Sequence, residues 1–384
     1  MTDNPLWRLN AAGQSIWLDY IDRTMLRNGD LQRRIRDEAL TGMTSNPTIF
    51  EKALAEGAAY DDQIRSATGD RTALELFELI ATTDVRHACD AFQPVHTRTA
   101  GKDGFVSIEV SPGAANDAVA TISEATRLWA TVDRPNVLVK VPGTAEGAKA
   151  VRQLIANGIN INITLLFSLA AYKAVIDAYI GGLEDRVAAG KDISQLHSVA
   201  SFFVSRVDSE VDKRIDALLK GDDKQIARSA RDDLASLKGK AAIANAKLAY
   251  SLFQTETSSE RWKVLATKGA NVQRPLWAST STKNPAYRDV MYVEDLIGPD
   301  TVNTMPPQTI TAFCDHGVVA RTVDARVDEA QHTIDALERN GISLHDVTDK
   351  LLVDGIASFG KSFETLLAGL HAKTKALGKE LVAR

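Results

Sequence analysis

The chain has 384 residues, 44% hydrophobic and 25% charged, with 45 basic against 50 acidic side chains and a formal charge of −5. That balance excludes a disordered, collagenous or disulfide-scaffold protein, and Lys and Arg scattered among Asp and Glu leave no broad positive field for a nucleic-acid backbone or an anionic membrane. The two cysteines, Cys89 and Cys314, lie far apart with no CxxC, and Met1 to Asn10 lacks the basic-then-apolar pattern of a signal peptide. The longest apolar stretch, around Ile163 to Tyr172, is interrupted by Ser168 and falls short of the roughly 20 residues of a membrane span. A cytoplasmic chain is expected, with no nucleic-acid and no membrane partner.

In chain order, short apolar runs alternate with longer amphipathic stretches. The runs are Ser15 to Asp19, Gly42 to Asn46, Gly104 to Val110, Val137 to Pro142, Ile159 to Leu165, His197 to Ser205, Pro275 to Thr280 and Thr301 to Met305. Between them Ala115 to Val132, Ala145 to Asn157 and Leu169 to Ala189 have helical spacing. Strand alternating with helix implies parallel pairing through crossovers, and eight such units predict an α/β fold, a closed (β/α)8 barrel. An open doubly wound sheet is the alternative, but the Gly-rich first turn it normally carries is missing, and Gly143-Thr-Ala-Glu-Gly147 reads as a turn into a helix. The whole chain, 1–384, is expected to form a single barrel domain with helical additions at about 48–100, 207–262 and 324–384. In the last of these, Ser343-Leu-His-Asp346 resembles a capping box, and Gly341 and Gly355 look like helix stops.

Strands of such a barrel should be near-continuous Val, Ile and Leu, so polar residues within them are informative. In Ile159-Asn-Ile-Asn-Ile-Thr164 the alternation turns Asn160, Asn162 and Thr164 toward the barrel axis. Buried amides need partners, so Asn162 and Thr164 face ligand or a polar network, while Asn160, deeper, is structural. Lys140 is a lone cation in Val137-Leu-Val-Lys-Val-Pro142. Burial penalises a charged ammonium, and a neutral amine is a nucleophile able to form a Schiff base with a carbonyl substrate. The alternative is a strand-end lysine reaching solvent or pairing with a carboxylate. Asp19 and Glu109 close two other strands, and in a barrel all these ends share one face. An amine with two carboxylates is what Schiff-base chemistry needs: a nucleophile, a proton shuttle to remove the hydroxyl as water, and a base where the carbon–carbon bond breaks.

Arg206 follows the sixth strand and Lys283 the seventh, where barrels often bind phosphate. Arg206 could instead pair with Asp208 and Glu210 on its own helix. The seven histidines show no HxH, HxxxH or HExxH spacing, so no catalytic metal is expected. These residues lead to a Schiff-base lyase or transferase of a phosphorylated carbonyl compound.

Six ordered motifs, Thr44-Ser-Asn-Pro-Thr48, Val106-Ser-Ile-Glu-Val110, the Lys140 strand, Asn162-Ile-Thr-Leu-Leu-Phe-Ser168, Ser201-Phe-Phe-Val-Ser-Arg206 and Pro275-Leu-Trp-Ala-Ser-Thr280 with Lys283-Asn-Pro285, together resemble the transaldolases, and the last looks like their longer, bacterial and plant-type subfamily. The resemblance runs from about Ala12 to Phe363. It implies a class I aldolase barrel using no metal or organic cofactor, with sugar phosphates as substrates, working as a monomer or homodimer. It also implies transfer of a dihydroxyacetone unit from sedoheptulose 7-phosphate to glyceraldehyde 3-phosphate, giving erythrose 4-phosphate and fructose 6-phosphate, in the non-oxidative pentose phosphate pathway. By resemblance Lys140 is the Schiff-base lysine, Glu109 acts through a water held by Thr164, and Asp19 is the acid/base at the hydroxyl of the cleaved bond. Thr44, Asn46, Asn162 and Ser201 would bind donor hydroxyls or the intermediate, Phe203 would shape the pocket, and Ser279, Arg206 and Lys283 would hold the phosphate. Lys283 stands where the family more often has Arg, and offers a point charge rather than a fork. Simple aldol cleavage on the same lysine, and a barrel that binds without turnover as a scaffold or sugar-phosphate sensor, are the competing readings.

Overall fold

Each of the eight apolar runs forms a strand. In the computed structural model, which describes residues 4–55, 57–67, 71–220 and 228–378, β1 (Gln14–Asp19), β2 (Leu40–Thr44), β3 (Phe105–Glu109), β4 (Val137–Pro142), β5 (Ile161–Leu166), β6 (Ser198–Phe203), β7 (Gln273–Ala278) and β8 (Thr301–Met305) pair in parallel, in sequence order. The ladder closes where Gln14–Leu18 of β1 meets Thr301–Met305 of β8. Closure removes both sheet edges, and the helices cover the outside, which is why β4, β5 and β6 are buried along their whole length.

Helix starts and strand ends follow local chemistry. β2 ends at Thr44 rather than running to Asn46, because the Asn46 Oδ1 accepts the amide of Ile49 at 3.0 Å and Pro47 opens the helix Pro47–Ala55. β7 stops at Ala278, where Ser279 turns into the left-handed region at φ +57°. Thr144 caps the helix Ala145–Asn157 through the Gly147 amide at 2.9 Å, so Gly143 to Gly147 is the turn that leads into a helix. Asn160 lies just before β5, donating to the Pro135 carbonyl at 3.1 Å and accepting the His197 amide at 2.9 Å.

The extra length is helical. Pro47–Ala55, Asp61–Ser66 and Ala73–Arg98 lie between β2 and β3. Ser205–Lys220, Arg228–Ser236, Ala241–Thr257 and Glu260–Ala266 lie between β6 and β7, and Val327–Arg339 and Leu344–Ala376 come last. Ser343 caps the last helix through the Asp346 amide at 3.4 Å, and Gly341, at φ +77°, follows the helix before it. The expectation that Gly355 stops a helix is wrong: Leu344–Ala376 runs straight through it. A Cβ at Gly355 would stand 3.0 Å from Leu165 Cδ2 and 3.7 Å from Arg206 Nη1. Close packing onto the barrel mouth therefore outweighs the roughly 1 kcal/mol that Gly costs a helix. Leu165 itself, at φ +60°, lies where the β5–β6 register shifts, a bulge at the barrel rim. No helix among the described residues is long and apolar enough to cross a membrane.

Gly147 shows how tightly β4 is clasped. Replacing a helical Gly with Ala normally gains about 1 kcal/mol, but a Cβ here would lie 1.8 Å from the Pro142 carbonyl oxygen. Gly147→Ala is expected to destabilise the protein by about 1–3 kcal/mol, the range for overpacking, read as a lower urea midpoint; an unchanged or raised midpoint would show that the helix can retreat freely.

Candidate active site

Parallel closure brings the C-terminal ends of all eight strands to one face. Register then decides the neighbours: Glu109 of β3 pairs with Lys140 of β4, Lys140 with Asn162 of β5, and Asp19 of β1 with Thr44 of β2. A cleft of about 470 Å³ opens there, walled by Asp19, Thr44, Asn46, Lys140, Thr164, Ser201, Phe203, Arg206, Ser279 and Lys283. Ten residues from six segments of the sequence thus meet in one cavity.

Lys140 is 5% exposed. Its Nζ donates to Glu109 Oε2 at 2.9 Å and to the Ser45 carbonyl at 3.0 Å, so it pairs with a carboxylate rather than reaching solvent. Glu109 and Asn162 do not wall the cleft. The Glu109 side chain, 5% exposed, lies beside Lys140. Asn162 is fully buried, donating to Ser107 Oγ at 3.0 Å and accepting from Ser201 Oγ at 2.7 Å. Asn162 therefore meets the cleft through Ser201 rather than directly, because its strand position puts it one layer below the mouth. Thr164 Oγ1, in contrast, is buried with no hydrogen-bond partner among the described residues.

Both carboxyls are shifted. Burial pushes Asp19 above the usual carboxylate range, against the attraction of Lys140, the hydrogen bond from Thr44 Oγ1 at 2.9 Å, and the charges of Arg206 and Lys283. Burial likewise raises Glu109, opposed by Lys140 and reinforced by the Asp19 charge.

The end expected to take the phosphate is built differently. The Arg206 guanidinium carbon sits 5.1 Å from the Phe203 ring and 6.0 Å from that of Phe359 on the C-terminal helix. The alternative pairing on its own helix does not occur: Asp208 accepts the Ala242 amide and the Tyr292 hydroxyl, and Glu210 bonds to Arg214 at 3.0 Å. Arg206 has no ion pair among the described residues, and burial lowers its pKa. Partial desolvation and repulsion from Arg206 do the same to Lys283, whose Nζ touches Ser281 Oγ at 2.9 Å. Ser279 Oγ lies 2.9 Å from Ser205 Oγ.

Tyr20, Lys52, Gln308 and Phe359 also wall this cleft and carry no signal in the sequence, since each sits in an ordinary helix or turn. A larger cavity, about 630 Å³, lies at the opposite end of the barrel. Its innermost polar groups serve one another, Ser15 and the Trp17 indole donating to Asp103 and Arg274 donating to Ser15, whereas barrel chemistry belongs to the C-terminal face.

The family model described as transaldolase/fructose-6-phosphate aldolase matches residues 16–370. The chain belongs to that family. It is 48% identical over 382 residues to "Transaldolase 2" of Nostoc sp. (strain PCC 7120), covering 98% of this chain and 99% of that one. To "Transaldolase" of Trichodesmium erythraeum it is 46% identical over 380 residues, covering 98% and 99%. To "Transaldolase" of Thermobifida fusca it is 47% identical over 366 residues, covering 95% and 96%. The chain is an enzyme of the transaldolase type.

A partly buried cation with no ion pair among the described residues should be relieved by an anion, and a ligand that binds only the folded state stabilises it by about 2.7 kcal/mol at a hundredfold excess over Kd. Inorganic phosphate is accordingly expected to raise the thermal midpoint, and Arg206→Leu to lose most of that rise. An equal rise in the variant would put the anion elsewhere.

Proposed function

We propose that the enzyme transfers a dihydroxyacetone unit from sedoheptulose 7-phosphate to glyceraldehyde 3-phosphate, giving erythrose 4-phosphate and fructose 6-phosphate, through a Schiff base on Lys140, in the cytoplasm as part of the non-oxidative pentose phosphate pathway. The observation that carries this reading is one cleft walled by a buried amine that is paired with Glu109, by Asp19, and by the Arg206 guanidinium, which has no ion pair among the described residues, in a chain of this family.

In this mechanism Lys140 Nζ attacks the ketose C2, and the carbinolamine hydroxyl leaves as water with a proton supplied through Glu109, Thr164 holding the intervening water. Asp19 takes the proton of the C4 hydroxyl as the C3–C4 bond breaks, and the aldose leaves. The enamine left on Lys140 attacks the acceptor aldehyde, Asp19 returns its proton to the new hydroxyl, and hydrolysis frees the lysine. Thr44, Asn46 and Ser201 serve the donor hydroxyls with Asn162 backing Ser201, Phe203 shapes the wall, and Arg206, Ser279 and Lys283 take the phosphate.

Borohydride with fructose 6-phosphate should trap an adduct on Lys140, and Lys140→Ala should abolish both adduct and turnover; an adduct on another lysine overturns the assignment. Asp19→Asn is expected to lower kcat by about 10²–10⁴-fold, the usual worth of a general acid or base. Because burial raises both carboxyls and the mechanism needs Asp19 ionised to accept a proton, activity is lost as pH falls. The acid limb of the rate profile should stand above the ordinary carboxylate range of about 4, and a limb at or below 4 would contradict this.

The family's description also names an aldolase. Simple cleavage would release free dihydroxyacetone from fructose 6-phosphate whether or not an acceptor is present, whereas transfer releases none and instead passes the unit to an acceptor such as erythrose 4-phosphate. Measuring that release decides between them.

A further inference from the structure

The helix Ser205–Lys220 presents Arg206 to the cleft from its first turn and carries Asp208, Asp212 and Asp216 at i, i+4 and i+8, a single stripe. None of the three pairs with Arg206. Asp208 divides its oxygens between the Ala242 amide, 2.8 Å from Oδ1, and the Tyr292 hydroxyl, 2.8 Å from Oδ2. Asp212 repeats the pattern one turn on, with the Gly239 amide 3.0 Å from Oδ1 and the Tyr287 hydroxyl 2.5 Å from Oδ2. Asp216 accepts from Lys238 Nζ at 2.7 Å. Each of the first two carboxylates therefore ties the segment around the start of the helix Ala241–Thr257 to a tyrosine of the loop that follows β7.

That loop carries Ser279, Ser281 and Lys283. A turn in which the Tyr287 amide donates to the Asn284 carbonyl at 3.1 Å, and the Ala286 amide to Asn284 Oδ1 at 3.0 Å, joins the lysine to the tyrosine. Holding the Tyr287 hydroxyl thus holds the backbone under Lys283. There is little slack at the anchor: Gly239 has φ +70°, and a Cβ on it would lie 2.7 Å from Tyr287 Cζ. Tyr292 is fully enclosed, and burial raises the pKa of both phenols, so each remains a donor.

We propose that Asp212 and Tyr287, backed by Asp208 and Tyr292, are positioning residues that set the distance between Lys283 and Arg206, and thereby the enzyme's preference for phosphorylated over unphosphorylated substrates. One helix presents the first cation and anchors the loop bearing the second. The inference rests on Arg206 and Lys283 being the phosphate ligands.

The test is steady-state kinetics on the full-length chain with sedoheptulose 7-phosphate as donor and either glyceraldehyde 3-phosphate or unphosphorylated glyceraldehyde as acceptor, read as erythrose 4-phosphate released. Tyr287→Phe removes one oxygen. It should raise KM for glyceraldehyde 3-phosphate about tenfold, the scale of one lost hydrogen bond to a charged group, while kcat and KM for glyceraldehyde stay within twofold. Asp212→Asn keeps the shape, weakens the same bond, and should give a smaller shift of the same kind; it carries the test should Tyr287→Phe not fold. An equal rise for both acceptors, or a lower melting temperature with unchanged kinetics, makes the contact merely structural and overturns the proposal. Lys283→Ala is the control. If it discriminates between the acceptors and Tyr287→Phe does not, the positioning role fails alone; if neither it nor Arg206→Leu discriminates, the phosphate assignment beneath it fails.

Discussion

A primary amine held 2.9 Å from a carboxylate, both almost wholly buried in the barrel, carries a desolvation cost that the pair's own attraction only partly offsets. Much of the upper barrel is arranged around that pair. β3 and β4 must be in register for Glu109 to lie beside Lys140, and Ser45 must turn its carbonyl inward to accept a second hydrogen bond from Nζ. The helix Ala145–Asn157 must carry Gly147 in its first turn to pack against the Pro142 carbonyl that ends β4. Behind the lysine, Ser201, Asn162 and Ser107 form a hydrogen-bonded chain that occupies the polar atoms of the layer below. The amine is the group to which we assign the nucleophile's role.

The other end of the cleft uses the opposite device. Lys140 has protein partners, whereas Arg206 is given only ring faces, and its neighbouring carboxylates are turned away to Tyr292, Ala242 and Arg214. Aromatic walls fix the plane of a guanidinium without satisfying its donors, leaving its charge-assisted hydrogen bonds for an incoming anion. Phe359 supplies one of those walls from a helix that ends the fold, so the last helix belongs to the site as well as to the core. Gly355 makes this possible by letting that helix settle onto Leu165.

Legibility differed sharply between these parts. The strands could be read because burial on both faces demands apolar runs, and Lys140, Glu109, Asp19 and Thr164 stood out as departures from that demand. Strand ends were less legible: β2 and β7 stop where Asn46 caps a helix and where Ser279 enters the left-handed region, both local backbone events that hydropathy does not record. Gly355 misled because a stop and a close contact use the same residue. Phe359 and Lys52 gave no signal, since a wall residue on an amphipathic helix looks like any other core or surface position.

The amino-acid sequence by itself determined the order of eight strands, the family, and the chemical types at their polar tips, because periodicity and buried charge are properties of consecutive residues. Tertiary structure alone decided which of those tips touch. It placed Glu109 against Lys140, put Asn162 one layer below the cleft, and left Arg206 without an ion pair among the described residues although Asp208 and Glu210 follow within its own helix. The reason is that register and helix orientation are set by the packing of segments far apart in the chain. Spacing along the chain says which partners are near, and only the closed barrel says which way they face.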